Sequence, residues 1–248
     1  MKTEIIDTNT NLAKIEGEYD LIIVRLLSPK YLYLVQFFEE QGVRTINSFR
    51  ALSISSNKLL SIASMENAGM TVPKTVFVSR EEVDLLKDFK FPAVLKPLYG
   101  RSYGVEIKNR LEEVKIVKED GIYLQEYVRG NLIRIYKIGG FFKAFLDIEG
   151  HQETTVPDRI IELVSNCFER IGMEVGGIDC IKSGNKYYFI DINDMPAGIK
   201  HIENWLEIFY NSSILDIKSR KRNNIDMGLL GKSRKFRSFS DPNIIKIS

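Results

Sequence analysis

Short apolar runs on either side of an amphipathic stretch mark the start of the chain. The short apolar run LIIVR at 21–25 predicts a strand, and VRTI at 43–46 predicts the next one. Between them, Val35 and Phe38 are spaced for one face of a helix over 31–41. A strand, a helix and a second strand joined by short links predict a small parallel βαβ unit.

The rest of the chain predicts helices between groups of antiparallel strands. Gly139-Gly140 joins two apolar runs and predicts a tight turn, and Pro157 stands in the first turn of an amphipathic segment. The sequence predicts helices at 57–68, 79–88, 111–118, 157–171 and 201–216, and strands at 75–78, 93–96, 105–108, 122–128, 132–138, 141–148, 176–182 and 186–193. This pattern is that of an α+β protein.

Composition adds the broad class of the protein. The 248 residues are 44% hydrophobic and 27% charged, which is typical of a globular chain with one large domain or two modest ones. No apolar run approaches the roughly 18–20 residues that span a bilayer, and the N-terminus has no apolar signal segment. We therefore expect a cytosolic protein with no membrane contact.

Positive charge is concentrated near the C-terminus. Residues 218–237 contain eight Lys or Arg against Asp226 alone, whereas the whole chain has a net charge of +2. Residues 1–217 are therefore mildly acidic, which does not favour a nucleic-acid-binding body. We expect 218–248 to be a basic, mobile tail. Contact of this tail with nucleic acid, with a partner or with a second copy in a homo-oligomer is the alternative.

The few cysteines and histidines exclude several kinds of site. Cys167 and Cys180 stand in apolar patterns and are expected to be buried thiols. No CxxC or HxxxH spacing occurs, so a structural zinc site is not indicated. His151 and His201 have no Ser or Cys partner in a nucleophile motif, and we interpret both as surface or structural residues.

One segment, FPAVLKPLYGRSYGV at 91–105, favours phosphate binding. Lys96 ends an apolar strand, where an ammonium is costly to bury without an anionic partner. The polar turn that follows offers the Ser102 hydroxyl and backbone N–H groups to phosphate oxygens. A surface lysine beside an ordinary hairpin explains the segment equally well. The triplet Gly231-Lys232-Ser233 lacks the earlier glycine of a Walker A loop and is rejected.

A second cluster has the residue types of a metal site. Asp191 and Asn193 alternate with apolar residues and therefore project from one face of a strand, and Asp179 lies on the partner strand of the same hairpin. Carboxylate and amide oxygens suit Mg²⁺. The alternative is a pair of acids on a solvent-facing hairpin, which the apolar neighbours disfavour.

The metal hypothesis fixes the register of this hairpin. A plain two-residue turn at Gly184-Asn185 would pair Asp179 with Ile190 and send Asp191 to the opposite face. Asp179 faces Asp191 only if the loop has an odd length or a strand contains a bulge. We therefore predict such an irregularity, with the three polar side chains converging near the Lys96 ammonium.

Two further strands carry polar residues in apolar surroundings. Gln125 and Glu126 interrupt YLQEYV, which is either an amphipathic strand or a hinge whose backbone pairs with a purine edge. Arg134 stands within the apolar strand LIRIY and needs an anion, either an acidic side chain or a ligand phosphate.

Taken in order, these segments resemble the ATP-grasp superfamily, and within it the group that contains RimK, LysX and glutathione synthetase. The similarity covers roughly residues 20–200 and is carried by the strand–helix–strand start, NKLLSIASMENAGMTVPKT, FPAVLKPLYGRSYGV, YLQEYV, NLIRIYKIGG and GGIDCIKSGNKYYFIDINDMPAG. No single segment is decisive, but six in the same order are specific. The resemblance implies an ATP-grasp fold, in which two α+β subdomains hold ATP, preceded by a shortened βαβ unit. The implied units are 1–54 (the reduced βαβ unit), 55–128 (the small subdomain with the phosphate loop), 129–217 (the C-terminal subdomain with the metal site) and 218–248 (the tail).

The resemblance also implies roles for the polar residues. Contacts with ATP phosphates are implied for two lysines and a loop that closes over them: Lys58, Lys96, Gly100, Ser102 and Gly104. An adenine site, bound largely through backbone groups, is implied for Gln125, Glu126, Tyr127 and Val128. Arg134 would steady the transferred phosphoryl group or acyl phosphate. One or two Mg²⁺ ions, with Mn²⁺ as an alternative, would be held by Asp179, Asp191 and Asn193.

The activity implied is that of an ATP-dependent, ADP-forming carboxylate–amine ligase with an acyl-phosphate intermediate. Its acceptor, an amino acid, a peptide or another small molecule, stays open, because Leu132 replaces an expected acid and Asp147 stands where the ligases carry Arg. Asp191, where the ligases often have Glu, is shared with inositol-phosphate kinases of the superfamily. A small-molecule kinase and a non-catalytic ATP-binding module are therefore the alternatives.

Overall fold

The structure, a computed structural model, describes residues 3–6, 21–25, 32–79, 82, 86–98, 105–114, 122–147, 151–214 and 244–247. Its strands are β1 (Thr3–Ile6), β2 (Leu21–Val24), β3 (Arg44–Ile46), β4 (Thr75–Val78), β5 (Ala93–Lys96), β6 (Glu106–Lys108), β7 (Ile122–Glu126), β8 (Asn131–Ile138), β9 (Phe141–Leu146), β10 (Gln152–Thr154), β11 (Val175–Ser183), β12 (Lys186–Asp194) and β13 (Ile244–Ile247). Its helices are α1 (Leu32–Glu40), α2 (Phe49–Ser56), α3 (Lys58–Asn67), α4 (Asp158–Ile171) and α5 (Trp205–Phe209), with 3-10 turns at Leu111–Glu113 and Ala197–His201 and a π turn at Tyr210–Ile214. Within these ranges each helix is too short or too polar to cross a membrane.

The first sheet contains the predicted βαβ unit. Its strand order is β1-β13-β2-β3, and β2 and β3 are parallel with α1 between them. Val35 and Phe38 of α1 pack in one cluster with Ile22 and Val24 of β2. The helix therefore buries the face that its apolar spacing predicts.

A strand from the C-terminus lies in the middle of this sheet. Strand β13 is antiparallel to both β1 and β2. The prediction of a mobile tail over 218–248 is therefore wrong for Ile244–Ile247, while 218–243 lie outside the described residues. A segment of four residues is too short to show a hydrophobic period. Three of these four residues are isoleucine, which favours a strand when neighbouring strands supply backbone hydrogen bonds.

The second sheet, in the order β4-β7-β5-β6, is antiparallel throughout. Its core lies on one face and consists of Val78, Leu86, Phe89, Ala93 and Leu124. Lys96 pairs with Tyr123, and Gln125 follows two residues later on the same strand. Because successive side chains alternate between faces, these three residues point away from that core.

The third sheet is the largest and has the order β10-β9-β8-β11-β12, with every neighbouring pair antiparallel. Helix α4 covers one face with its predicted apolar stripe, which includes Val164, Phe168 and Ile171. Gly172 ends the helix with a φ of +75°, a left-handed conformation that glycine adopts without strain.

Helices α2 and α3 belong to the core of this third sheet. Ala51 and Ile62 pack in the same cluster as Phe168 of α4. The boundary expected between residues 54 and 55 falls inside α2, so it does not separate two structural units. The boundary is expected there because the sequence is polar around residues 53–57. In the structure α2 and α3 belong to one unit, because both helices are buried against the third sheet.

Asn47 links the end of the first sheet to the start of β11 through side-chain hydrogen bonds. Its side chain is fully buried, and its Oδ1 accepts hydrogen bonds from the N–H groups of Glu174 and Val175 at 3.0 and 2.9 Å. Its Nδ2 donates to the carbonyl of Val175 at 2.6 Å. An ion pair of 2.5 Å between Arg44 and Glu174 lies beside this contact.

The segment after β12 packs on the face of the third sheet that α4 leaves free. Ile199 and Ile202 join a cluster with Tyr136 and Ile138 of β8. Gly198 permits this close approach, because a Cβ there would lie 1.9 Å from the Tyr136 hydroxyl. This is also the face that carries the polar residues of the candidate site.

Candidate active site

The β11–β12 hairpin has the irregular register that the metal hypothesis requires. Near the turn, Cys180 pairs with Phe189, which is the register of a two-residue loop. A bulge then intervenes, and Asp179 pairs with Asp191. The predicted irregularity is therefore confirmed, and it is a bulge rather than an odd loop. Because cross-strand partners share a face, both aspartates project from the same side of the sheet.

Arg134 extends this pair of aspartates into a row across three strands. It is the β8 partner of Asp179, and its Nη1 lies 3.5 Å from the Asp179 Oδ2. Asn193 also reaches this carboxylate, and its Nδ2 donates to Oδ2 at 3.3 Å. Asp179, Asp191 and Asn193 therefore gather at one place, as their alternation predicts.

Lys58, the first residue of α3, brings a cation to Asp191 from outside the sheet. Its Nζ donates to both carboxylate oxygens, at 2.5 and 2.6 Å. Both side chains are largely buried, with 9% and 15% of their surfaces exposed. An ion pair this buried needs close geometry to offset the loss of hydration. No local pattern of residues predicts that Lys58 pairs with Asp191.

Lys96 reaches the same region from the second sheet. Its Nζ donates to the Gln125 Oε1 at 3.0 Å and to the carbonyl of Ile190 at 3.2 Å, and it lies 5.9 Å from the centre of the Tyr123 ring. Ile190 is the residue that the bulge leaves without a register partner. Burial lowers the pKa of Lys96, against the opposing attraction of Asp191. The predicted approach of the Lys96 ammonium to the aspartate cluster is thus confirmed.

Asp147 is a second carboxylate partner of the Arg134 guanidinium. The Arg134 Nη2 donates to the Asp147 Oδ2 at 2.9 Å. This hydrogen bond raises the pKa of Arg134 and lowers the pKa of Asp147, each against the effect of burial. The guanidinium is therefore fixed between Asp147 and Asp179, with its Nε buried and without a hydrogen-bond partner among the described residues.

Comparison with known proteins finds several relatives and structural neighbours of this chain. No protein-family model matches the chain. A probable alpha-L-glutamate ligase of Saccharophagus degradans is 28% identical over 217 residues, which cover 75% of this chain and 71% of that protein. The Glutamate--LysW ligase ArgX of Sulfolobus acidocaldarius is 26% identical over 213 residues, which cover 73% of this chain and 75% of that protein. A solved RimK domain ATP-grasp protein from Sphaerobacter thermophilus has a TM-score of 0.67 at 13% identity, over 79% of this chain and 81% of its own.

The chain is similar to ATP-grasp ligases of the RimK- and LysX-like group. Both curated relatives bear ligase names, which supports the ligase interpretation over the kinase alternative. The solved structure, at its low identity, supports the ATP-grasp fold that the order of motifs implies.

The expected adenine segment lies at the end of β7. Gln125 is 2% exposed, and its amide donates to the Thr75 hydroxyl at 3.2 Å. The N–H groups of Glu126 and Tyr127 already donate to backbone carbonyls of the same chain, at 2.8 and 3.0 Å. Among the described residues, Val128 has the one N–H group of this segment with no such partner. The expected phosphate loop, Gly100, Ser102 and Gly104, lies outside the described residues.

The residues of the metal cluster fit a divalent cation. Burial, together with the charge of the nearby Asp191, raises the pKa of Asp179 to about 6 against the pull of Arg134. A bound cation would remove this conflict between two neighbouring carboxylates. Among the described residues no three His, Cys, Asp or Glu side chains form a metal site, so the oxygen set depends on the Asn193 amide.

Two histidines that were not predicted to belong to the site lie near Asp147. The Nδ1 of His151 is 3.7 Å from the Asp147 Oδ1, and the rings of His151 and His201 meet edge to face with their centres 4.5 Å apart. Fifty residues separate them in the sequence, so no local pattern signals this contact.

The prediction for the cysteines is confirmed: Cys167 and Cys180 are free and buried, and burial raises the pKa of each thiol to about 12.

Proposed function

We propose that this ATP-grasp ligase joins the carboxylate of one substrate to the amine of another through an acyl phosphate. A carboxylate oxygen attacks the γ-phosphorus of ATP and ADP leaves. The amine nitrogen then attacks the acyl carbon, inorganic phosphate leaves with the C–O bond electrons, and the nitrogen loses a proton. The products are an amide, ADP and phosphate, and no side-chain nucleophile is needed.

Each charged residue of the site has a role in this sequence. Lys58 and Lys96 would bind the phosphates of ATP, and Arg134 would stabilise the negative charge that develops on the transferred group. Asp147 orients Arg134 and keeps its guanidinium directed along the row of aspartates. The support for these roles is geometric. Lys58 of α3 contacts Asp191 and Arg134 of β8 contacts Asp179. Lys96 of β5 donates to the carbonyl of Ile190, the residue before Asp191.

Asp179, Asp191 and Asn193 would hold Mg²⁺, which when bound supplies neutralisation of phosphate charge. In the structure Lys58 neutralises Asp191 directly. If the cation binds this carboxylate, the Lys58 ammonium becomes available for a phosphate oxygen. The same lysine thus stabilises the site before ATP arrives and binds ATP afterwards.

The acceptor class proposed is an amino acid or a peptide. Both curated relatives are named for glutamate, and one of them also for LysW, so glutamate is the first amino acid to test. The replacement of the usual arginine by Asp147 argues that the acceptor differs from theirs in part.

Release of ADP and phosphate over a panel of amino acids, peptides and inositol phosphates tests the proposal. We expect equal amounts of ADP and phosphate with one carboxylate–amine pair, and a product with the mass of the amide. Lys96→Met should lose this turnover, and Lys137→Met should keep it. ADP formation without phosphate release, together with a phosphorylated alcohol, would instead establish a kinase.

A further inference from the structure

A solvent-open cavity of about 580 Å³ lies beside the candidate active site, between strands β9 and β10 and the segment that follows β12. A cavity of this volume suits a small ligand or one side chain of a larger ligand. Its lining combines apolar and acidic side chains, among them Phe141, Ile202, Ile208, Glu153, Glu203 and Glu207. None of these residues has a role in the reaction proposed above.

The cavity lies at the outer end of the row of residues that carries the site. Glu153 pairs with Phe145, and Phe145 pairs with Arg134, which in turn pairs with Asp179. Cross-strand partners share a face, so the cavity opens on the same face as the aspartates. Two strand spacings, about 10 Å, separate Glu153 from Arg134. A substrate that reacts at Arg134 can therefore place a long side chain in the cavity.

Side-chain contacts join the cavity wall to Arg134. His201 lines the cavity, and its ring contacts the ring of His151. His151 faces Asp147, and Asp147 holds the guanidinium of Arg134. The cavity and the reacting region thus share one continuous wall.

The charge of the lining is negative. Glu153 is paired with Lys143 at 2.5 Å, so these two charges offset each other. Glu203 and Glu207 have no ion-pair partner within the part of the chain that the structure describes. The cavity therefore presents two unbalanced carboxylates next to apolar walls, which complements a cation on an aliphatic stem and disfavours a dicarboxylate.

We propose that this cavity binds the cationic side chain of one ligation substrate, a lysine or an arginine that is free or part of a peptide. The inference rests on the proposed ligase function and names the class of one of its two substrates. Phe141 and Ile208 contact the methylene stem, and Glu203 and Glu207 pair with the ammonium or guanidinium group. Glutamate, where it is used, occupies the position of the other substrate.

Titration calorimetry on the full-length chain tests the charge preference directly. The ligands are L-arginine, L-lysine, alanyl-lysine, L-norleucine and L-glutamate, in the presence of Mg²⁺ and a non-hydrolysable ATP analogue. We expect a basic ligand to bind at least tenfold more tightly than norleucine, which has a similar stem without the charge. The double variant Glu203→Gln/Glu207→Gln should lose this preference, and Glu112→Gln, an exposed glutamate on the second-sheet side, should keep it.

Two outcomes overturn the inference. One is binding of norleucine or glutamate as tight as that of every basic ligand, and the other is an unchanged preference in the double variant. ADP release with any carboxylate–amine pair is measured in parallel. Turnover without a preference for basic ligands leaves the ligase function standing and removes this inference. Charge-selective binding without turnover of any pair removes the ligase function and keeps the cavity as a cation-binding site.

Discussion

Three buried lysines differ in the partners of their ammonium groups, and this difference distinguishes a structural lysine from a candidate ligand-binding one. Lys58, Lys96 and Lys137 are 7%, 8% and 8% exposed. Lys58 has a carboxylate partner, whereas Lys96 and Lys137 donate to neutral oxygens, and burial lowers the pKa of both. Lys137 lies on the α4 side of the third sheet, near the Phe168 ring, away from the candidate site. Lys96 faces the aspartates, where an ATP phosphate would supply the missing anion.

Lys96→Met should abolish the stabilisation of the protein by ATP. At a hundredfold excess over its Kd, a ligand that binds only the folded state adds about 2.7 kcal/mol to the free energy of unfolding. We expect this gain in the original chain, measured by urea unfolding with and without MgATP, and almost none in Lys96→Met. The matched control Lys137→Met removes an equally buried ammonium and should retain the gain. Equal stabilisation of both variants by ATP would exclude Lys96 from the site.

Asp147→Asn should slow the reaction while leaving ATP binding intact. The amide can still accept a hydrogen bond from Arg134, but it loses the charge that fixes the guanidinium between two carboxylates. Misplacement of one charge-stabilising group commonly costs about 10- to 100-fold in kcat, with little change in the KM for ATP. Steady-state kinetics at saturating acceptor checks this, with Asp88→Asn, an exposed site, as the control. A raised KM for ATP at unchanged kcat would contradict a positioning role.

At the level of elements, a single bulge decides which face of a strand carries the chemistry. A side chain changes face with every one-residue shift, so the extra residue Ile190 brings Asp191 to the side of Asp179. The carbonyl of Ile190, released from the regular register, accepts the hydrogen bond from Lys96. The bulge thus aligns the carboxylates and also contacts the second sheet.

Asn47→Ala should destabilise the junction between β3, α2 and β11. Three hydrogen bonds at a fully buried site are lost, and two backbone N–H groups and one carbonyl are left without a partner. We expect a loss of about 2–4 kcal/mol in the free energy of unfolding, because unsatisfied buried groups are costly. Urea denaturation measures it. The neighbouring Ser48→Ala removes the N-cap of α2 and an exposed hydrogen bond of 3.3 Å to the carbonyl of Gly172, and it should cost about 1 kcal/mol. Equal losses in the two variants would show that Asn47 is not the principal link.

For the whole molecule, the first sheet depends on the C-terminus while the candidate site does not. Strand β13 is the sole described partner of β1 and separates it from β2. The site residues lie on α3 and on the strands of the other two sheets. We therefore expect assembly of the first sheet to be separable from the proposed binding of ATP.

Removal of residues 218–248 should loosen the first sheet and leave ATP binding in place. We expect faster amide hydrogen exchange over 21–24 and 44–46 and a lower Tm, with the ATP-dependent rise in Tm retained. Ile245→Pro in the full chain should reproduce the loosening, because proline removes an N–H group from a strand that is paired on both sides. Unchanged exchange in both variants would mean that β13 contributes nothing to the sheet.

The sequence by itself determined the local features: the βαβ unit, the α4 stripe, the order of the ATP-grasp motifs and the need for an irregular hairpin. These depend on period and on strand parity, which neighbouring residues set. The tertiary structure alone decided the partners of the charges, the position of β13 and the cavity beside Arg134. Lys58 and Asp191, for example, are 133 positions apart, and Arg134 lies between Asp147 and Asp179 only because β8 is central in its sheet. Contacts of this kind depend on how elements pack, and no local pattern of residues specifies that packing.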